Sequence, residues 1–217
     1  GYFTRPLALF LAIYTVITAF IGHPYWGMSG MDQYMAMINF YKNEIAPIRK
    51  ITPEVPVTAN FMGAYPHMEL FLGLDYWKFA KEVDIASWDN YPAWHNDFET
   101  TEELAANVGF VHDIYRSLKG GQSFLVMEST PSLVNWHDTN KLKRPGMHLL
   151  SSMQGLAHGA DSVLYFQWRK GRGASEKFHG AVVDHCGHEN TRVFREVTEV
   201  GAAQKPCHKI IGEIPSR

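Results

Sequence analysis

Four consecutive apolar residues, Phe124, Leu125, Val126 and Met127, run straight into one acidic residue, Glu128. A short unbroken apolar run closed by a single charge reads as a β-strand covered on both faces. Strands of that kind belong to parallel sheets, where crossover helices pack above and below. The run therefore directs the chain to the α/β class. A carboxylate at the C-terminal end of such a strand stands where α/β barrels build their sites. Trp136 closes the same stretch, SFLVMESTPSLVNW, and its ring is a flat apolar plate on which a sugar ring could stack.

The rest of the chain repeats the alternation. Tyr34, Met37, Ile38, Tyr41, Ile45 and Ile48 recur at helical spacing, and Pro47 and Pro53 are expected to end that helix. VPVTANFMG (55–63) is strand-like, Asp75 is a candidate N-cap for a short helix DYWKFAKEV, and DIASWDNYP (84–92) is a second strand. Thr101, Glu102 and Glu103 open a helix through about Lys119, stopped by Gly120 and Gly121. After the Glu128 strand, Pro145 is expected at the first turn of another helix that Gly159 stops. DSVLYFQWR (161–169) is the fourth strand and residues 190–200 the closing helix. Polar or aromatic strand ends recur at roughly the length of one βα unit. Four such units describe either a small open sheet or half of an eightfold barrel, which usually needs about 250 residues.

Composition removes other classes. A formal charge of -2 over 217 residues gives no reason to expect nucleic acid or an anionic membrane as partner. Two cysteines, Cys186 and Cys207, imply no disulfide framework and are expected to be free thiols. PLALFLAIYTVITAFI (6–21) is uncharged and strongly apolar, but short of the roughly 20 residues that span a bilayer. It reads as a buried strand or helix, as a signal or anchor, or as sequence foreign to the domain.

Several smaller patterns admit a structural and a chemical reading. Glu176 and His179, spaced i,i+3, fit either a satisfied structural pair or two ligands on one side of a helix or loop. His185, Cys186 and His188 resemble half of a zinc site, with no second ligand pair at a known spacing, so no metal is expected. Lys170-Gly171-Arg172-Gly173 lacks the spacing of a phosphate-binding loop and reads as a βα loop. Asp89 is a candidate acid or a strand-end residue bonding a neighbouring amide.

Five stretches in order, VPVTANFMG, LDYWKFAKEVDIASWDNYP, FLVMESTPSLVNW, KLKRPGMHLLSSMQGLAHGADSVLYFQWRKGRG and SEKFHGAVVDHCGHENTRVFREV, together resemble glycoside hydrolase family 42, the bacterial β-galactosidases. The resemblance runs from about Asn39 to Val200. It implies the C-terminal half of a (β/α)8 barrel, strands five to eight with their helices. It implies a retaining β-galactosidase acting on lactose or galacto-oligosaccharides without a cofactor, and a full-length enzyme that is a homo-oligomer in the cytoplasm. By the same resemblance Glu128 is the nucleophile, Trp136 lines the galactose subsite, and Glu176 and His179 bond sugar hydroxyls. Tyr91, from DNYP, is a further site residue.

The match is incomplete in a way that matters. The family's acid/base is the Glu of an Asn-Glu pair ending strand four, upstream of FYKNEIAP. Asn43-Glu44 spells that dipeptide in mid-helix with no strand before it, so it is rejected. The family's N-terminal zinc-binding cysteines have no counterpart, and its trimerisation domain would begin where this sequence stops. Residues 1–28 do not resemble the family, which leaves residues 29–217 as a partial catalytic domain. The alternatives are an inactive galactose-binding fragment and a retaining glycosidase of other sugar specificity.

Overall fold

The computed structural model describes residues 30–62 and 75–209, which divide between two compact units. The apolar segment 6–21 lies outside the described residues. The first unit contains helix α1, Gly30–Ile51. α1 runs through Pro47 rather than stopping there, and Thr52 N donates to Ile48 O at 2.8 Å. Proline removes one donor from the helical ladder, and the turns on either side carry the helix past it. Asn43 and Glu44 are exposed on α1, with no strand beside them in sequence.

The second unit holds the sheet. Its strands are β1 (Asn60–Met62), β2 (Ser87–Asn90), β3 (Phe124–Ser129) and β4 (Ala160–Val163), all parallel and in the order β1-β2-β3-β4. Helices α2 (Tyr76–Phe79), α3 (Thr101–Ser117) and α4 (Met147–Ala157) form the crossovers, and α5 (Arg192–Gln204) follows β4. A doubly wound sheet reverses its strand order at a switch point, whereas a barrel adds each new strand beside the last. The order here is that of a barrel. The unit is a four-stranded α/β section of a (β/α)8 barrel.

Sequence explains where each element begins. Thr100 caps α3: its hydroxyl accepts from Glu103 N at 3.2 Å, and Thr100 N donates to Glu103 Oε2 at 2.8 Å, a complete capping box. Leu104, Val108, Val111, His112 and Tyr115 then recur at helical spacing and are all buried. Against them the sheet presents Trp88 and Phe124. Trp88 stacks on Tyr115 with centroids 5.2 Å apart and meets His112 edge-on at 5.0 Å. α4 starts later than Pro145 predicts. Gly146 takes a left-handed φ of 80° and is the N-cap, which leaves Pro145 in the turn before the helix.

The strands are shorter than their apolar runs, because the backbone keeps bonding after it leaves the regular ladder. Beyond β4, Leu164 N donates to Val126 O at 2.9 Å and Phe166 N to Ser129 O at 3.0 Å. Residues 167–170 then pair with 180–183: Val182 N donates to Gln167 O and Lys170 N to Val183 O, both at 3.0 Å. The loop that carries His179 is thereby folded back over the ends of the strands. Among the described residues no helix is long and apolar enough to cross a membrane.

Candidate active site

Glu128 lies near the end of β3, and two side chains from the neighbouring strands hold its carboxylate. Asn60 Nδ2 on β1 donates to Oε1 at 2.9 Å, and the Tyr91 hydroxyl just past β2 donates to Oε2 at 2.7 Å. Burial, and then the bond to and charge of Glu128, push the Tyr91 phenol above its ordinary range, so it remains a donor at neutral pH. Each carboxylate oxygen thus has one donor and keeps a lone pair. A fixed carboxylate of this kind can attack an electrophilic carbon.

A second carboxyl stands beside it. A register shift between Trp88 and Asp89 pairs Asp89, rather than Asn90, with Glu128 across the sheet. Asp89 Oδ2 is 3.4 Å from the same Asn60 nitrogen. Burial, and secondarily the Glu128 charge, push Asp89 up to about 6, against the opposing effect of the Asn60 bond.

Aromatic rings wall the carboxylates. Tyr91 meets Trp136 edge-on at 5.1 Å, and Trp136 lies 5.2 Å from the His179 ring, which also touches Tyr91 and Phe166. Trp136 is 52% exposed and keeps a face open. A cleft of about 410 Å³ opens beside it, lined by Met62, Asp89, Tyr91, Phe98 and Trp136 among others. That volume lies in the range of small-molecule sites.

Glu176 and His179 share a tight turn, with His179 N donating to Glu176 O at 3.0 Å. They face differently: Glu176 is exposed, while His179 is fully buried behind Trp136 and Tyr91. His179 Nδ1 lies 2.9 Å from Gly180 O, a pure acceptor, so Nδ1 carries a hydrogen and donates it there. Nε2 is buried and has no partner among the described residues.

Gly180 fixes this turn. Its N–H donates to Leu133 O at 2.8 Å, and a Cβ there would lie 2.5 Å from both Ser132 Oγ and Thr130 Oγ1. Only glycine lets the His179 loop approach the loop after β3 so closely. Lys143 holds that second loop from behind. It is buried, and its Nζ donates to Thr130 O at 2.6 Å. Burial pulls its ammonium down to about 7, with Glu196 opposing.

The structure thus brings Glu128, Tyr91, Trp136 and His179 together, and the Glu176 charge is felt at Tyr91. Asn60 was legible in sequence only as a polar strand end, and Phe166 only as one aromatic among several. Elsewhere, Lys170 pairs with Asp184 at 2.9 Å, which occupies the cation of the supposed phosphate loop. His185 Nε2 is directed to Gly171 O at 2.9 Å, while Cys186 Sγ lies 4.0 Å from His188 Nδ1. Among the described residues no three His, Cys, Asp or Glu side chains gather as a metal site. Cys186 and Cys207 are free thiols.

Known proteins are similar to this chain in sequence and fold. The profile of glycoside hydrolase family 42, described as beta-galactosidase, matches residues 33–206. Beta-galactosidase GalA of Bacillus licheniformis is 60% identical over 177 residues, covering 82% of this chain and 26% of that protein. GanA of Bacillus subtilis is 59% identical over 175 residues, covering 81% and 26%. Among solved structures, Gan42B, a GH42 beta-galactosidase from G. stearothermophilus, superposes with a TM-score of 0.78 at 61% identity, over 84% of this chain and 26% of that one. The cold-adapted beta-galactosidase from Rahnella sp. R3 gives 0.76 at 51% identity, over 84% and 25%. The chain spans about a quarter of the length of these relatives. With its fold and four-fifths of its residues matched, the chain belongs to glycoside hydrolase family 42.

Proposed function

We propose that residues 29–217 are part of the catalytic domain of a retaining β-galactosidase, and that Glu128 is its nucleophile. The observation that carries this reading is the Glu128 carboxylate held by Asn60 and Tyr91 beside the open face of Trp136. Glu128 attacks the anomeric carbon of a terminal β-galactoside. The bond from that carbon to the leaving oxygen breaks, the leaving oxygen takes a proton from an acid, and a galactosyl ester on Glu128 remains. Water then cleaves the ester and restores the carboxylate. Trp136 stacks on the apolar face of the sugar, Tyr91 orients the nucleophile, and the exposed Glu176 accepts from a sugar hydroxyl. His179 backs Trp136, and its Nε2 is the atom that would bond a sugar hydroxyl.

The acid is not among these residues. In this reading the acid belongs to an earlier strand of the barrel, in a full-length, cytoplasmic homo-oligomer that turns over lactose or galacto-oligosaccharides. The two free thiols accord with a reducing compartment.

The test uses a substrate that needs no acid. Dinitrophenyl 2-deoxy-2-fluoro-β-galactoside expels a good leaving group and traps the glycosyl ester. Peptide mass spectrometry of the treated chain should show one fluorogalactosyl adduct, on Glu128, and none in Glu128→Gln. An adduct on another carboxylate, or equal labelling of Glu128→Gln, would overturn the assignment. Faster labelling by the matching glucoside would point to another retaining glycosidase.

A further inference from the structure

The two carboxyls side by side are costly, and the fold goes out of its way to make them neighbours. Regular pairing that continued from Trp88 opposite Val126 would set Asp89 opposite Met127. The register shift sets it opposite Glu128 instead. Among the described residues no lysine, arginine or histidine forms an ion pair with either carboxyl. Among the described residues the titratable groups that sense Asp89 are Glu128 on β3, Tyr91 after β2, Tyr76 on α2 and Tyr115 on α3, each acidic or neutral. Asp89 Oδ1 is buried with no hydrogen-bond partner among the described residues. Among the described residues the donor shared by the two acids is the Asn60 amide, 2.9 Å from Glu128 Oε1 and 3.4 Å from Asp89 Oδ2. A half-buried acid pair bridged by an amide is the kind of arrangement that folds keep at working sites.

We propose that Asn60 and Asp89 are positioning residues for the Glu128 nucleophile, with the amide of Asn60 acting as a clamp that Asp89 orients. This rests on the reading of Glu128 as the attacking group. An amide can present either its oxygen or its nitrogen to a neighbour. Two carboxyls on one side leave only the nitrogen end favourable, so Glu128 always meets a donor. Asp89 also links the clamp to pH. Below about 6 it is neutral, and above that it is an anion next to Glu128. Attack by Glu128 consumes its negative charge and builds positive charge on the sugar ring, and a neighbouring anion favours both. The attack rate should therefore climb as Asp89 ionises, by about tenfold for two charges this close.

The first measurement needs no sugar. In protein labelled with carbon-13 at the glutamate carboxyls, the Glu128 resonance is identified by its loss in Glu128→Gln and followed from pH 4 to 8. The native chain should show an inflection near pH 6 that reports Asp89, and Asp89→Asn should lack it. A native curve with no component near 6, or the same component in Asp89→Asn, overturns the proposal, whether or not the chain attacks galactosides.

The second measurement is the rate of fluorogalactoside labelling. Asn60→Ala should slow the saturating rate by about tenfold while the half-saturating concentration moves less than about twofold. Asp89→Asn, whose side chain can still present an oxygen to Asn60, should label near the native rate at low pH without the rise through pH 6. A change confined to the half-saturating concentration would make these residues sugar ligands and would overturn the positioning role.

Discussion

A methyl group at Gly180 should destabilise the chain more than any conservative change on its surface. Built there, a Cβ lies 2.5 Å from Thr130 Oγ1 and Ser132 Oγ and 2.6 Å from Leu133 O, whereas ordinary contact begins at 3.4 Å. The difference, 3.4 minus 2.5, is 0.9 Å, and one of the three obstacles is backbone that cannot rotate away. Overpacking of this kind costs about 1–3 kcal/mol. Forcing the loops apart also weakens the bond from Gly180 N to Leu133 O, worth about 1 kcal/mol. The sum, about 3 kcal/mol, lowers the melting temperature of a chain this size by roughly 10 °C. Thermal unfolding followed by far-ultraviolet circular dichroism measures it. Gly201→Ala is the internal control. Gly201 lies within α5 with nothing inside 4 Å of its Cβ position. The same chemical change there should raise stability by about 0.5–1 kcal/mol. If Gly180→Ala melts within about 2 °C of the native chain, the loop junction is not close-packed and the reasoning fails.

Three other outcomes follow from geometry on the page. Thr100→Ala removes the capping box of α3 and should cost about 1 kcal/mol, read as a drop of about 2–4 °C in the same melt. Tyr91→Phe deletes the donor to Glu128 Oε2 and should slow fluorogalactoside labelling by about tenfold or more, since a hydrogen bond to a charge is worth about 1.5–3 kcal/mol. Acid should weaken the fold. Burial pulls His112 and His148 down to about 3, so between about 3 and 6.5 the unfolded chain binds protons that the folded chain refuses. Stability from these two groups is complete above 6.5 and lost as pH falls. Asp89, raised to about 6, acts oppositely but is one group against two. Denaturant midpoints at pH 7 and pH 5 check this, and equal midpoints would refute it.

The α/β class was legible because Phe124–Met127 is apolar at every position, as expected of a strand packed on both faces, although Leu125 and Met127 are only partly covered in the described residues. Glu128 was legible as the charge that ends it. Strand lengths were not, because segments such as 164–170 keep hydrogen bonding through irregular backbone that composition cannot separate from regular strand. The start of α4 was misplaced because Pro145 and Gly146 both suit a helix entrance, and the left-handed φ that decides between them is a property of the folded turn. The Asn60 clamp could not be read at all. It depends on a register shift at Trp88 and Asp89 that moves one carboxyl by a single residue, and pairing register across distant strands leaves no mark in local sequence.

The strand order β1-β2-β3-β4 has a consequence for how such an enzyme can change. Each strand delivers its own contribution to the site: an amide from the first, a carboxyl and a phenol from the second, the carboxylate and indole from the third, and the imidazole loop from the fourth. Chemical roles are therefore laid out along the gene in the order in which they meet in space. Recombination at a boundary between units exchanges one role while the others remain. The junction at Gly180 marks the exception, since it ties the last two loops so closely that they must be inherited as a pair.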